Sequence, residues 1–269
     1  MKKIITVIMI ILAAFAVFAG GSSEKKSNLT GVAYIENKGT FILGLDDSFP
    51  PMGYRDENNE IVGFDIDVAR EVCNRLGVKL ICQPIDWNAK EQELSLKQID
   101  CIWNGFTITE ERKQALAFTD AYLKNAQVVI VKSSSSINSL SDLSGAKIGV
   151  QAGSTAAEAI DDTPEFKSII SSVVEFKDNL TALMDLEIGG CQAVVMDLMV
   201  ANYAIKESGK DFRILTESLA EEEYGVGFRL ADKDLADKVT SIMIDMAEDG
   251  TMAEISTKWF GADISTIGK

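Results

Sequence analysis

The sequence predicts an α/β fold made of two units in which strands alternate with helices. Short apolar runs of strand length alternate with segments whose apolar residues recur at helical spacing. Polar turns rich in glycine, serine and threonine follow several of the predicted strands. The chain has 269 residues, enough for two domains of about 100 to 200 residues each.

The charge balance and the residue inventory exclude several classes of function. With 26 basic and 41 acidic residues the net charge is -15, which argues against a nucleic-acid partner, because phosphates require clustered lysine and arginine. The chain contains no histidine, so Ser-His-Asp and Cys-His catalysis and most zinc sites are excluded. No metal-ligand spacing occurs among the cysteines, and neither a metal nor a cofactor is expected.

The amino terminus has the pattern of an export signal. Two lysines precede the apolar run Ile4–Phe18 and small residues follow it, which predicts a signal peptide over residues 1–20. Gly21 stands where a lipoprotein signal would have its acylated cysteine. Residues 21–35 are expected to form a flexible leader. The protein is therefore expected in the periplasm or tethered at the cell envelope.

The first unit is predicted to alternate strands and helices from Thr40 onward. The apolar residues from Phe64 to Leu76 recur at helical spacing, and Gly77 supplies a C-terminal stop for that helix. The predicted elements are strand Phe41–Leu45, helix Asp65–Leu76, strand Val78–Gln83, helix Ala89–Gln98 and strand Asp100–Trp103.

A second series of alternating elements is predicted to begin at Ala126. Asp197 directly follows an apolar strand, so it is expected to cap the helix that comes next. The predicted strands are Ala126–Val131, Lys147–Val150, Ala193–Met196, Phe212–Leu215 and an extended segment at Tyr224–Phe228. The predicted helices are Ala156–Ile160, Asn179–Glu187, Asp197–Ile205 and Asp232–Trp259, the last broken near Gly250.

Four cysteines leave the disulfide pattern open, because they allow three connectivities. Cys73 and Cys82, on a helix and the following strand, are the nearest candidates for a pair. For Cys101 and Cys191, buried free thiols are favoured.

Polar residues follow four of the predicted strands and define a candidate ligand site. Ligands of open α/β sheets bind at the carboxyl ends of strands, where these turns would meet. Arg112 can hold a carboxylate through two hydrogen bonds, Thr107 can add a donor and Asp197 can hold an ammonium, which fits an α-amino acid. The candidate ligand-binding residues are Asp46, Phe49, Trp87, Asn104, Gly105, Thr107, Arg112, Gln151, Ser154, Thr155 and Asp197.

Each of these residues also has a purely structural interpretation. Arg112 could be one charge on a solvated helix start, and Asp197 could be only a helix cap. Phe49 could close a turn beside two prolines, and Trp87 could belong to the core. Trp103, within its apolar strand, is expected in the core.

Several motifs occur together in a characteristic order along the chain. They include Gly63-Phe64-Asp65-Ile66-Asp67, Thr109-Glu110-Glu111-Arg112, Val150-Gln151-Ala152-Gly153-Ser154 and Tyr224-Gly225-Val226-Gly227-Phe228. In these segments the chain resembles bacterial extracellular solute-binding protein family 3, the substrate-binding proteins of polar amino-acid ABC importers. Gln151 stands where the glutamine-binding member has a lysine, so glutamine is not implied as the ligand.

The resemblance implies a periplasmic-binding-protein-like clamp of type II, with a mainly parallel sheet in each lobe and a hinge of two crossings. Lobe 1 would comprise residues 36–127 and 223–263, lobe 2 residues 128–222, and residues 264–269 a tail. The implied partners are a free α-amino acid, with polar or basic ones favoured, and an ABC permease in the cytoplasmic membrane. The protein is expected to be a monomer and not an enzyme. The alternatives are an arogenate or prephenate dehydratase-like enzyme and a ligand-sensing module.

Overall fold

The computed structural model describes residues 29–269, apart from the side chain of Ser208. The strands are β1 (Thr40–Leu45), β2 (Ser48–Phe49), β3 (Gly53–Arg55), β4 (Ile61–Val62), β5 (Lys79–Pro84), β6 (Cys101–Ile102), β7 (Leu116–Phe118), β8 (Leu123–Lys132), β9 (Lys147–Gln151), β10 (Ser172–Phe176), β11 (Ala193–Asp197), β12 (Phe212–Tyr224) and β13 (Gly227–Arg229). The α-helices are α1 (Gly31–Lys38), α2 (Phe64–Leu76), α3 (Lys90–Ser95), α4 (Glu110–Ala115), α5 (Thr155–Asp161), α6 (Pro164–Ile169), α7 (Asn179–Ile188), α8 (Leu198–Ser208), α9 (Lys233–Glu248) and α10 (Thr251–Phe260). None of these helices is long and apolar enough to span a membrane.

The fold is a two-lobed α/β clamp, which confirms the predicted fold class. The sheet of one lobe has the strand order β5-β1-β6-β13-β7, and that of the other has β10-β9-β11-β8-β12. A small sheet of β2, β3 and β4 extends the first lobe. The expectation of mainly parallel sheets is wrong in one respect, because two of the four pairings in each large sheet are antiparallel.

The antiparallel pairings follow from the way the chain crosses between the lobes. It leaves the first sheet after β7 through β8 and returns through β12, which pairs with β8 from Phe212↔Lys132 to Tyr224↔Leu123. β12 is far longer than the predicted strand Phe212–Leu215. The prediction ended too early because the second half of β12 is a charged segment without an apolar run. The two crossing strands form the hinge.

Each lobe has an apolar core beneath its sheet. Helix α2 buries Phe64, Val68 and Val72 against the first sheet, and Trp103 is fully buried there, as predicted. In the second lobe Ile148 and Val195 belong to a separate cluster. Because each such side chain stabilises the fold by about 1.5–3 kcal/mol when removed from water, both lobes are rigid platforms for the turns at their strand ends.

Both chain ends differ from the predicted leader and tail. The leader was expected to run to residue 35, but α1 already begins at Gly31. The Gly31 amide donates to Asp232 Oδ1 at 2.7 Å, so the helix is held on the first lobe at the start of α9. The predicted tail is also packed, since Ser265 pairs with Leu123 and Ile267 is buried. The predicted signal peptide lies outside the described residues.

The turn before α3 positions a buried tryptophan, Trp87. The predicted helix Ala89–Gln98 is shorter in the structure, because a 3₁₀ turn precedes α3 and Lys97 adopts a positive φ of 60° after it. Asp86 caps the 3₁₀ turn by accepting a hydrogen bond from the Asn88 amide at 3.0 Å. The Trp87 indole packs edge-on against the Phe106 ring, with 5.9 Å between the ring centroids.

All four cysteines are free thiols in the structure. Cys73, Cys101 and Cys191 are buried, and Cys82 is partly exposed. Burial raises the pKa of Cys73 to about 12, so its thiol stays protonated and unreactive at neutral pH.

Candidate ligand-binding site

The lobes close on a narrow cleft between them. Its nine lining residues all belong to the eleven predicted from sequence. The first lobe supplies Phe49, Trp87, Gly105, Thr107 and Arg112, and the second supplies Gln151, Ser154, Thr155 and Asp197. The structure therefore brings together turns that lie far apart in the sequence. Among the described residues, no group of three or more cysteine or acidic side chains could hold a metal.

Arg112 places a cation in the cleft without a counter-ion in contact. Thr109 caps α4 by accepting a hydrogen bond from the Arg112 amide at 3.1 Å, which fixes the start of the arginine side chain. One guanidinium nitrogen donates to the Thr107 carbonyl at 2.8 Å, and the group lies 4.4 Å from the Phe106 ring centroid. Burial lowers the Arg112 pKa, although surrounding acids act in the opposite direction. No carboxylate of the described residues lies within 4 Å of it, so the cleft offers an anion site.

Asp197 places a carboxylate in the cleft from the second lobe. It occupies the N-cap position of α8 but makes no capping hydrogen bond, so capping does not explain its side chain. Its Oδ1 accepts hydrogen bonds from Asn125 Nδ2 and Tyr224 Oη, both at 2.7 Å. Burial, reinforced by the charge of Glu222, raises the pKa of Asp197 to about 7. A cationic ligand group would compensate this buried charge.

Gly105 forms the floor of the cleft in a conformation that only glycine adopts readily. Its φ is +59°, and a Cβ there would lie 2.8 Å from the Phe49 ring. The Gly105 amide donates to Asp65 Oδ2 at 2.7 Å. Asp65 belongs to the Gly63-Phe64-Asp65-Ile66-Asp67 motif, which identified the resemblance without indicating this role. Burial raises the pKa of Asp65 to about 7.

We expect Asp65→Asn to become increasingly more stable than wild type as the pH rises from 5 to 8, by up to about 2 kcal/mol. Because the folded-state pKa of Asp65 is raised, its stabilising contribution is present below the unfolded-state pKa of about 4 and is lost as the pH rises to about 7. An asparagine can still accept the hydrogen bond from Gly105 but does not ionise. Urea unfolding at a series of pH values measures the difference.

Asp67→Asn in the same motif is the matched control. Burial acts to raise the pKa of Asp67, but hydrogen bonds from Lys258 and Trp259 lower it below its usual value. The stability that Asp67 contributes is therefore lost only as the pH falls through this lowered pKa. Its substitution should give a constant difference from wild type between pH 5 and 8. The same constant difference in Asp65→Asn would contradict the assignment.

Asp46 is not among the residues that line the cleft, but it is hydrogen-bonded to Gln151, which is. Gln151 Nε2 donates to Asp46 Oδ2 across the lobes at 2.7 Å, and Asn179 Nδ2 donates to Gln151 Oε1 at 3.2 Å. Burial raises the pKa of Asp46 to about 6, and none of the described lysines or arginines lies within 4 Å of its carboxylate. Phe49 and Trp87 provide nearby apolar ring surface. This end of the cleft suits a ligand side chain with a hydrogen-bond donor or a positive charge.

Asn104 is not among the lining residues. It is buried, and its Nδ2 lies 2.5 Å from where a Cβ on Gly53 would be, so the side chain packs against the small sheet. Neither polar atom of its amide has a partner among the described residues. Its neighbour Gly105 does line the cleft, at a position with a positive φ of 59°.

Sequence reasoning missed several polar residues that join the lobes. Buried Lys90 donates to the Gly153 carbonyl at 2.8 Å across the cleft rim, and burial lowers its pKa. Away from the cleft, the Tyr203 hydroxyl on α8 donates to the Tyr54 hydroxyl on β3 at 3.2 Å. No sequence pattern indicates these contacts, because each joins two surfaces that meet only in the closed fold.

Two rigid lobes, a double-stranded hinge and opposite charges facing each other across a buried cleft define a ligand-binding clamp. The chain belongs to the bacterial extracellular solute-binding proteins, family 3, whose sequence profile matches residues 41–262. This confirms the resemblance found in the sequence motifs.

Known relatives cover almost the whole chain. The L-cystine-binding protein TcyJ of Escherichia coli K12 is 28% identical over 94% of this chain and 94% of its own length. An ABC uptake transporter substrate-binding protein from Streptococcus pneumoniae, solved with bound histidine, is 35% identical, covers 87% of this chain and 97% of its own, and has a TM-score of 0.85. Tv2483, solved with L-arginine, is 33% identical with a TM-score of 0.85, covering 88% of this chain and 97% of its own.

Proposed function

We propose that this protein is the substrate-binding component of an amino-acid ABC importer and holds a free α-amino acid between its lobes. The observation that supports this most directly is the placement of Arg112 and Asp197 in one buried cleft, on opposite lobes. An α-amino acid carries one carboxylate and one ammonium on the same carbon, so both charges of the cleft would be neutralised by one small ligand.

The ligand carboxylate would bind to the free donors of the Arg112 guanidinium, with Thr107 beside it. Planar guanidinium groups bind carboxylates through two parallel hydrogen bonds, which fixes orientation as well as charge. The ammonium would bind to Asp197, near the Gly105 turn. These contacts recognise the part common to all α-amino acids and leave selectivity to the other end of the cleft.

We infer a polar or basic side chain for the ligand. Gln151 lines the cleft and is hydrogen-bonded to Asp46, whose carboxylate has no described lysine or arginine within 4 Å, so this end of the cleft favours a donor or a positive charge on the ligand. Phe49 and Trp87 would cover the aliphatic or aromatic part of the ligand. The relatives with bound arginine and histidine are consistent with this chemistry.

Ligand binding would act by stabilising the closed arrangement of the lobes. A ligand that contacts both lobes binds the closed form more tightly than the open form, so it shifts the population towards closure. The closed form would then be the state that a membrane permease recognises. We propose that the protein acts as a monomer in this cycle, with lobe 1 formed by residues 36–127 and 223–263 and lobe 2 by residues 128–222.

We further propose export to the cell envelope and binding without turnover. The relatives reported above are binding proteins, which favours binding over catalysis. A dehydratase on this scaffold would need an acid beside a leaving group. The sequence offers Glu91 and Asp46 as candidates for this acid, but neither lines the cleft. Glu91 forms an ion pair with Lys90, and Asp46 is bonded to Gln151. Product formation from prephenate would contradict this part of the proposal.

A thermal-shift screen with matched ligand pairs tests the proposal. The screen compares L-arginine with agmatine, L-histidine with histamine and L-cystine with cystamine. The second compound of each pair keeps the side chain and lacks the carboxylate. At 100 times its dissociation constant a ligand stabilises the folded protein by about 2.7 kcal/mol, so at least one amino acid should raise the melting temperature clearly. Its carboxylate-free counterpart should not, because Arg112 would have no partner. Equal shifts within a pair, or no shift with any amino acid, would refute the proposal.

A further inference from the structure

Glu222 lies at the centre of a hydrogen-bond network that reaches both halves of the cleft. Its Oε2 accepts from Thr107 Oγ1 at 3.0 Å, from Asn125 Nδ2 at 2.9 Å and from Gln127 Nε2 at 3.0 Å. Two of these donors are shared: Asn125 Nδ2 also donates to Asp197 at 2.7 Å, and Gln127 Nε2 to Thr155 at 3.2 Å. One carboxylate oxygen is thus linked to cleft residues of both lobes.

Glu222 lies on one of the two strands that form the hinge. Glu222 pairs with Asn125 across the two hinge strands β12 and β8. Its neighbours Glu221 and Glu223 are exposed, and Glu221 accepts from Ser218 outside the cleft. Glu222 lines the same hollow as its two neighbours, but of these three side chains only that of Glu222 is hydrogen-bonded to residues around the cleft.

We propose that Glu222 is a positioning residue that couples the hinge to the site: through the shared donor Asn125 it holds Asp197 for the ligand ammonium, and by accepting from Thr107 and Gln127 it fixes these side chains beside the cleft. This rests on the proposed amino-acid binding. Because Glu222 lies on a hinge strand and its partners include residues that line the cleft, the arrangement of the hinge strands sets the positions of those side chains.

The electrostatic surroundings give the proposal a measurable consequence. The negative charge of Glu222 adds to burial in raising the pKa of Asp197. The titratable and charged groups that face this pair are Tyr224 on β12, Arg112 on α4 and Glu158 on α5, with Glu110, Lys113, Lys124, Glu221 and Glu223 around the hollow behind the hinge. The ligand ammonium binds the ionised form of Asp197, so affinity should rise with pH and level off above about 7.

The test compares Glu222→Gln with Glu221→Gln and Glu223→Gln, which make the same change in the same run of acids. Calorimetric titration is carried out from pH 5.5 to 8 with the tightest binder among L-arginine, L-histidine and L-cystine. At pH 8 Glu222→Gln should bind about tenfold more weakly than wild type, since charge-assisted hydrogen bonds are lost. The difference in affinity between Glu222→Gln and wild type should become smaller towards pH 5.5, because without the Glu222 charge Asp197 stays ionised at lower pH. Both control variants should follow wild type.

If the affinity of Glu222→Gln changed with pH in the same way as that of wild type, whether or not binding were weaker, the inference would be overturned. A merely structural role of Glu222 leaves the titration of Asp197 unchanged. If Glu222→Gln does not fold by circular dichroism, Glu222→Asp replaces it. Weaker binding with a wild-type pH profile then supports the inference, and wild-type affinity overturns it.

If wild type binds an amino acid and all variants match it, only this inference fails. If wild type binds none of the three, the proposed function fails and the inference with it.

Discussion

Arg112→Ala is expected to weaken amino-acid binding by more than about 100-fold, which corresponds to about 2.7 kcal/mol. Hydrogen bonds to charged groups contribute about 1.5–3 kcal/mol each, and the fork of Arg112 would make two of them to the ligand carboxylate. Arg112→Lys should lie between alanine and wild type, because it keeps the charge and loses the planar fork. Calorimetric titration with L-arginine, L-histidine and L-cystine measures the change.

The adjacent Lys113→Ala is the control for this prediction. Lys113 is exposed and paired with Glu110, so its removal lowers the net charge of the same helix without reaching the cleft. It should bind within about twofold of wild type, since exposed ion pairs contribute little. If Arg112→Ala behaved like Lys113→Ala, Arg112 would be an ordinary surface charge and the carboxylate site would be elsewhere.

Asp197→Asn is expected to weaken binding by at least about 30-fold and to stabilise the ligand-free closed protein at pH 8. Removing one partner of a buried charge pair costs about 2–5 kcal/mol. The stability change has the opposite sign because the pKa of Asp197 is raised to about 7. Such a group contributes stability below its unfolded pKa and loses it as the pH rises through about 7, whereas an asparagine never ionises.

Two measurements on Asp197→Asn separate the effects. Calorimetry gives the loss of affinity, and urea unfolding without ligand at pH 5 and 8 gives the stability. Asp211→Asn, an exposed aspartate just before β12, should change neither. A variant that bound normally would show that the ammonium does not use Asp197. Reduced stability at pH 8 would show that the carboxylate is held ionised by its donors, Asn125 and Tyr224.

The sequence allowed the charged anchors of the site to be predicted because they follow apolar strands. Strand ends are recognisable from composition, so Arg112 and Asp197 could each be placed at the edge of a sheet, and the two-lobed clamp implied by the family resemblance placed those two edges opposite each other. The same logic located Gln151 and Ser154. What it could not give was the state of each side chain, such as the missing cap of Asp197.

The residues that sequence reasoning missed depend on register and on closure. Glu222 is one of three identical neighbours, and only the pairing of β12 with β8 shows which of them lies opposite Asn125 and bonds to it. The second half of β12 contains no apolar run, so a hinge strand resembled a solvated loop. Asp65 looked like a motif residue at a helix start, and its bond to Gly105 spans 40 positions in the chain.

The contact between Tyr54 and Tyr203 allows the overall affinity for amino acids to change without a change in the preference among them. It joins the lobes through residues that are not among those lining the cleft, so it contributes to the closing equilibrium equally for every amino acid. The apparent dissociation constant is the intrinsic one divided by the fraction of molecules in the binding-competent state. Changes at this pair would therefore scale all affinities together and leave their ranking untouched. Evolution could tune how scarce a nutrient this protein captures without altering which nutrient it prefers.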